Sequence, residues 1–157
     1  MKSQEYEELV KNLLSTLLAK YNVEIIGYGE KCKIEGVCGH KHQIDVACRD
    51  KEKHKLILVE CKHWKSKIKI EYIMAFHGRI MDIQNKEKVG IEGIMITTVG
   101  YQKGADKYAN HYGIRLGKVK NMSEFGLFIG TLGFIGVADE CHAEEKVSIK
   151  IVPAEDK

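Results

Sequence analysis

Three charged residues, Asp45, Glu60 and Lys62, have types and spacing that could do chemistry together. Asp45 lies in a short β-rich run, and Glu60-Cys61-Lys62 follows after fourteen intervening residues. Residues two apart on a strand point to the same side, so Glu60 and Lys62 share one face. If the two runs pair in simple register, Asp45 projects towards that face from the neighbouring strand. The sequence therefore predicts two carboxylates and one ammonium group at the end of an apolar sheet.

Such a group of side chains is suited to chemistry at a phosphate. Paired carboxylates are hard oxygen donors that suit Mg²⁺, with water and substrate phosphate in the remaining coordination positions. A nearby lysine can orient or deprotonate an attacking water, or hold the charge that develops on the phosphate. The combination indicates metal-assisted hydrolysis of a phosphodiester.

The elements that must position these residues begin with a β-hairpin. Residues His42–Cys48 and Lys55–Cys61 are β-rich runs joined by a polar turn at residues 49–54, which predicts two antiparallel strands. The second run contains Leu56–Val59, which is apolar on both faces and is typical of a central strand.

Helical and extended patterns alternate along the rest of the chain. They predict helices at residues 3–20, 70–86 and 102–111, and strands at 22–28, 33–37, 91–98 and 114–119. For the middle helix, the pattern predicts an inward face made of Ile70, Ile73, Met74, His77, Ile80, Met81 and Gln84. This order predicts an α/β fold with a mixed sheet between helices.

The length of 157 residues predicts one domain. After residue 120 the amino-acid composition changes. Four glycines lie among Leu, Phe and Ile, and apolar and polar residues alternate at residues 147–152. We expect residues 1–120 to form the main domain and residues 121–157 to form a β-rich C-terminal appendage packed on it.

Charge is distributed unevenly although the net charge is only +3. Residues 31–70 contain eleven Lys or Arg against five acidic residues, whereas residues 121–157 contain three Lys against seven acidic residues. This asymmetry favours an anionic partner for the middle of the chain, and nucleic acid is the first choice.

The remaining features concern the compartment. The N-terminus has no apolar signal region, and no apolar stretch reaches the length of about 18–20 residues that a membrane helix needs. Five scattered cysteines favour reduced thiols over a disulfide framework. We therefore expect a cytoplasmic protein without a membrane association. We expect no nucleotide cofactor either, because a Gly-rich phosphate loop is missing.

Asp45 with Glu60-Cys61-Lys62 resembles the signature of the PD-(D/E)xK nuclease superfamily. Further features resemble its Mrr-type restriction endonuclease branch over about residues 4–119. They are Tyr6-Glu7 with Leu13-Leu14 in the opening helix, and the closing segment Ile96–Tyr101, Ala105, Tyr108-Ala109 and Tyr112–Ile114. One departure is that no proline precedes the acid, since Gln43-Ile44 stands there.

The resemblance implies a restriction-endonuclease-like three-layer sandwich, with a mixed central sheet flanked by helices. It implies that Asp45, Glu60 and the backbone carbonyl of Cys61 hold Mg²⁺, for which Mn²⁺ is a substitute. Lys62 would be the catalytic lysine. Glu7 would reach the site from the first helix as a further carboxylate.

The basic stretch after Lys62 suits contacts with DNA. Trp64 could stack on a base, and Lys65, Lys67 and Lys69 could neutralise phosphates. His42, beside the site, could contact the scissile phosphate. Solvated lysines and a Trp64 packed in the core are the alternative interpretation.

Together these features predict an Mg²⁺-dependent DNA endonuclease of the Mrr-like restriction type. A homodimer is expected, because one site cuts one strand. Three alternatives stay open: a resolvase of Holliday junctions or branched DNA, a catalytically silent DNA-binding module, and a zinc-dependent structural protein. The last would use Cys32, Cys38, His40 and His42, whose spacing fits no zinc module that we can justify.

Overall fold

The computed structural model describes residues 23–62, 64–118 and 150–152, and the predicted helix at residues 3–20 lies outside them. The helices are α1 (Ile70–Glu87) and α2 (Lys103–Tyr112). The strands are β1 (Val23–Tyr28), β2 (Lys33–Glu35), β3 (Lys41–Gln43), β4 (Val46–Asp50), β5 (Lys55–Lys62), β6 (Gly90–Thr97), β7 (Arg115–Lys118) and β8 (Lys150–Val152).

A mixed sheet in the order β1-β4-β5-β6-β7-β8 organises the fold. Strands β1, β4 and β5 pair antiparallel, β5, β6 and β7 pair parallel, and β8 pairs antiparallel with β7. The two parallel connections each contain a helix, as parallel neighbours require. The predicted α/β fold with a mixed sheet is therefore confirmed. Among the described helices, none is long and apolar enough to cross a membrane.

The predicted hairpin is present, but its first arm is broken. Strands β4 and β5 pair from Val46↔Val59 to Asp50↔Lys55. Residues 41–43 instead form β3, which pairs with β2 in a separate two-stranded sheet. The interpretation of residues 42–48 as one strand was wrong, because the chain leaves one ladder and enters the other at Ile44. The Ile44 N–H donates to the carbonyl of Cys32, at 3.0 Å.

Helix α1 covers one face of the sheet, and the predicted inward position of Ile73 and Ile80 is confirmed, whereas other residues of the predicted inward face are exposed. The buried residues are Ile73, Phe76, Ile80 and Ile83, at helical spacing of three and four. Met74 and Met81 are 47% and 44% exposed, so their assignment to the inward face was wrong. The apolar residues extend around much of this helix, and contact with the sheet decides which of them are buried.

Close packing brings α1 onto β6 at Gly93. A Cβ at this position would lie 2.3 Å from Ile80 Cδ1. On α2, small buried residues Ala105 and Ala109 serve a similar purpose. The Tyr101 hydroxyl lies 2.7 Å from the carbonyl oxygen of Met95 and 2.9 Å from that of Gly117. It thereby links β6 to β7.

Strand β8 falls within the predicted extended segment at residues 147–152. It pairs with β7 through Leu116↔Val152, Gly117↔Ile151 and Lys118↔Lys150. Residues 119–149 lie outside the described residues, so the division of the chain at residue 120 stays a prediction.

Cysteine reactivity offers a direct test of this fold. Burial raises the pKa of the Cys48 thiol to about 12, and burial together with the charge of Asp45 raises that of Cys32 to about 11. Cys38 is exposed. Because the thiolate is the nucleophile, we expect iodoacetamide at pH 8 to modify Cys38 at least about 100-fold faster than Cys32 or Cys48. Peptide mapping by mass spectrometry over time measures this. Equal rates for Cys38 and Cys48 would contradict the described packing.

Candidate active site

Asp45 lies one residue before the first paired position of β4. Its carboxylate oxygen Oδ2 accepts a hydrogen bond from the backbone N–H of Cys61, at 2.7 Å. The register Val46↔Val59 places Asp45 opposite Glu60. The interruption between strands β3 and β4 thus places an acidic side chain beside the carboxyl end of β5, beyond the last paired residues of β4 and β5.

Glu60 is a buried carboxylate with two cationic partners. Its side chain is 6% exposed, and Oε1 accepts from Lys62 Nζ at 2.9 Å and from Arg79 Nη2 at 3.3 Å. Glu60 lies on the sheet face covered by α1, the face to which Leu56 and Leu58 also point. A charge at that depth is costly unless it is paired, and Lys62 and Arg79 provide the pairing.

Arg79 is a residue that the sequence analysis did not predict. It reaches the site from α1, and its Nη1 also donates to the carbonyl of Gln43 at 2.9 Å. Its guanidinium lies 5.5 Å from the centre of the Phe76 ring. A signal was present in the sequence, since Arg79 stands three residues after Phe76 and four before Ile83. An arginine next to the buried residues of a helix needs an acidic or carbonyl partner. Because the inward face of the helix was predicted incorrectly, the position of Arg79 beside the buried residues was not recognised.

Lys62 lies between Glu60 and an aromatic pair. Its Nζ is 5.3 Å from the centre of the Trp64 ring, and Trp64 packs edge-to-face against Tyr72 with ring centres 4.4 Å apart. The carboxylate on one side and the aromatic face on the other limit where the ammonium group can point. Trp64 also packs against the hydrophobic core.

The lysines predicted to contact DNA lie on the segment that connects β5 to α1. Lys65, Lys67 and Lys69 are all exposed, whereas Ile68 between them is fully buried. Ile68 forms a bridge with Tyr101, and its N–H donates to the carbonyl of Gly100 at 3.0 Å. This anchor fixes the segment at the carboxyl edge of the sheet with its three ammonium groups in solvent.

The other two predicted residues are not placed at this edge by the described structure. The imidazole of His42 is directed to α1, with Nε2 2.6 Å from Asp82 Oδ2. Glu7 lies outside the described residues. A DNA contact for His42 and a catalytic role for Glu7 stay predictions.

The donor atoms present suit a hard divalent ion. Asp45 and Glu60 provide two carboxylates at the same level of neighbouring strands. In an extended strand the N–H and C=O of one residue point to the same side. The carbonyl of Cys61 therefore points to the side from which Asp45 approaches its N–H. An all-oxygen set of this kind is typical of Mg²⁺ sites.

Comparison with known sequences agrees with this class of fold. Residues 1–126 match the Mrr catalytic domain, a family described as restriction endonuclease. The chain belongs to this family, whose members are nucleases of the PD-(D/E)xK superfamily. Nucleases of this superfamily typically use divalent metal ions. No curated protein sequence is significantly similar to the chain.

Solved structures share the restriction-endonuclease-like fold. A protein of unknown function, AF1548, has a TM-score of 0.54 at 20% identity and covers 71% of this chain. A repair endonuclease from Pyrococcus abyssi has a TM-score of 0.53 at 15% identity and covers 76%. EndoMS, in a complex with dsDNA, has a TM-score of 0.55 at 12% identity and covers 76%. The matches span 56%, 48% and 44% of those chains, so this chain corresponds to about half of their length.

Proposed function

We propose that this chain is a DNA endonuclease that hydrolyses phosphodiester bonds with the help of Mg²⁺, as a restriction enzyme of the Mrr type. The observation that supports this most is a pair of contacts at one end of β5: Lys62 Nζ donates to Glu60, and the N–H of Cys61 donates to Asp45. If Glu60 and Lys62 formed only a structural ion pair, the Asp45 carboxylate beside the N–H of Cys61 would have no role in it. The match to a restriction endonuclease family supports a nuclease function for this arrangement of side chains.

Asp45, Glu60 and the Cys61 carbonyl would hold the Mg²⁺ ion, which polarises a phosphate oxygen and acidifies bound water. Lys62 faces the same site, where its ammonium group orients the attacking water and offsets charge that builds up on the phosphate. Arg79 contacts the Glu60 carboxylate and holds it in position. Trp64 restricts the position of Lys62.

DNA is the proposed substrate on grounds of charge. The ammonium groups of Lys65, Lys67 and Lys69 lie in solvent directly after the catalytic strand, where they can contact successive phosphates. A structural neighbour that was solved with dsDNA is consistent with this choice. A homodimer would allow two sites to cut both strands. We also propose a cytoplasmic location, in keeping with reduced cysteines.

The direct test uses supercoiled plasmid, which reports nicking and linearisation in one gel. We expect cleavage with Mg²⁺ and none with EDTA. Asp45→Asn, purified in parallel, should be inactive because it replaces a charged oxygen donor with an amide, and it controls for contaminating nucleases. Cleavage by Asp45→Asn at the parental rate would contradict the proposed site.

The substrate arms of the same experiment address the alternatives. Preferential cleavage of four-way junctions over plasmid and linear duplex would favour a resolvase. Binding of all these DNAs without cleavage, in Mg²⁺ and in Mn²⁺, would favour a catalytically silent module.

A further inference from the structure

A second cluster of metal-ligating side chains lies on the outer side of α1. Cys38, His42 and Asp82 place one ligand atom each within 4.8 Å of the others. The Cys38 Sγ is 3.0 Å from Asp82 Oδ2, and His42 Nε2 is 2.6 Å from the same oxygen. The three residues come from the β2–β3 connection, from β3 and from α1.

The backbone holds the three donors in place. Asp82 accepts twice from the tip of the β2–β3 hairpin: its carbonyl from the N–H of Val37 at 3.0 Å, and Oδ1 from the N–H of Cys38 at 3.1 Å. A Cβ on Gly36 would lie 1.7 Å from Asp82 Oδ2, so only glycine lets the hairpin approach the helix this closely. Backbone contacts between the hairpin and the helix therefore bring the three donor residues together.

The chemistry of the donors differs from that of the catalytic site. Thiolate, imidazole and carboxylate are the three ligand types that bind Zn²⁺, whereas Mg²⁺ prefers oxygen alone. Bond lengths of about 2.0–2.3 Å with tetrahedral angles place Zn²⁺ ligand atoms about 3.3–3.6 Å apart. In the structure, hydrogen bonds hold the Cys38 sulfur and the His42 nitrogen slightly closer to the Asp82 oxygen than this. These atoms would need to move apart by less than about an ångström to reach the spacing of Zn²⁺ ligands.

We propose that Cys38, His42 and Asp82 bind a Zn²⁺ ion that ties the β2–β3 hairpin to α1. The ring of His40 packs edge-to-face on that of His42, with ring centres 4.9 Å apart. The site is separate from the proposed catalytic ion and does not depend on the proposed function. It uses two of the four residues in the zinc alternative, whereas Cys32 is buried in the core and takes no part.

The state of the carboxylate is consistent with this role. Hydrogen bonds from Cys38 and from His42 lower the pKa of Asp82 to about 2. The carboxylate is therefore ionised at neutral pH. Metal binding would replace the thiol proton of Cys38 and any proton on His42 Nε2, both of which would be released to solvent.

Cobalt is a suitable probe, because thiolate-bound Co²⁺ has a charge-transfer absorption that oxygen sites lack. Reduced protein is freed of metal with chelator and titrated with Co²⁺ in excess Mg²⁺, which competes for the carboxylate site. We expect a one-to-one charge-transfer band that an equimolar amount of Zn²⁺ removes. Absence of this band in the parent protein would overturn the proposal.

Two substitutions separate metal binding from a purely hydrogen-bonded clamp. Cys38→Ser keeps a donor for Asp82 but replaces the thiolate, and we expect it to abolish the band and to weaken Zn²⁺ binding by at least about 100-fold. His42→Gln should weaken binding similarly, whereas His111→Gln, an exposed position on α2, should not. An unchanged band in Cys38→Ser would show that the site is wrong.

A measurement on the parent protein alone covers the case in which the variants do not fold. Zn²⁺ should protect Cys38 from iodoacetamide, as followed by peptide mapping. Modification of Cys38 at the same rate with and without Zn²⁺ would exclude it as a ligand.

Discussion

Lys62→Met is expected to reduce plasmid cleavage by about 1000-fold, because it removes an ammonium group that the proposed mechanism places at the reaction centre. The fold should persist, since methionine has similar length and Arg79 remains as a partner for Glu60. DNA affinity, measured by fluorescence anisotropy in EDTA, should change little compared with cleavage. This division between binding and turnover is what distinguishes a catalytic lysine from one that only attracts DNA.

Lys107→Met on α2 is the matched control. It makes the same chemical change at an exposed position that does not belong to the proposed site. Parental activity in Lys107→Met together with loss in Lys62→Met would support the assignment. Parental activity in both variants would contradict the role of Lys62. Loss of binding and cleavage by the same factor in Lys62→Met would instead make it a DNA contact.

Local patterns were sufficient for the central part of this molecule. The polar turn between two β-rich runs predicted the pairing of β4 with β5, and the uninterrupted apolar run Leu56–Val59 predicted a buried central strand. The period of two along β5 was enough to predict that Glu60 and Lys62 share a face, and their side chains are 2.9 Å apart. These inferences depend only on neighbours in sequence and on strand geometry.

What the sequence could not provide depends on contacts between distant segments. The change of ladder at Ile44 is determined by β2, which pairs with β3 and leaves Asp45 directed to Cys61. Asp82 joins Cys38 and His42 only because the hairpin packs on α1, about forty positions later in the chain. A search for zinc spacing among cysteines and histidines has no means of including such an aspartate.

The helix α1 shows a different kind of failure. Its apolar residues extend around most of the circumference, so helical periodicity supports more than one inward face. Phe76 and Ile83 are buried against the sheet, whereas Met74 and Met81 are exposed. The missing side chain of Gly93 on β6 leaves space for this face of the helix. Because Arg79 follows this face towards Glu60, the site could not be completed before the face was known.

Arg79→Met should lower both stability and activity, which makes it the second large effect that we expect. Glu60 is 6% exposed, and loss of the guanidinium leaves its carboxylate with Lys62 as the described cationic partner. We expect the free energy of unfolding to fall by about 1.5–3 kcal/mol, the range for hydrogen bonds to charged groups. Cleavage should fall by about 10–100-fold, as is usual when a partner of a metal-binding carboxylate is removed. Urea denaturation and plasmid cleavage measure the two effects.

Lys86→Met provides the comparison on the same helix. Lys86 pairs with Glu35, but these side chains are 40% and 42% exposed, so solvent weakens their attraction, and Lys86→Met should lower the free energy of unfolding less than Arg79→Met does. The double variant Glu60→Gln/Arg79→Met should be more stable than the sum of the single changes predicts. Each single change leaves the remaining charge without this partner, whereas the double change removes both charges. Simple additivity would mean that Arg79 and Glu60 do not stabilise one another. Arg79 would then owe its position to the carbonyl of Gln43 and the ring of Phe76 alone.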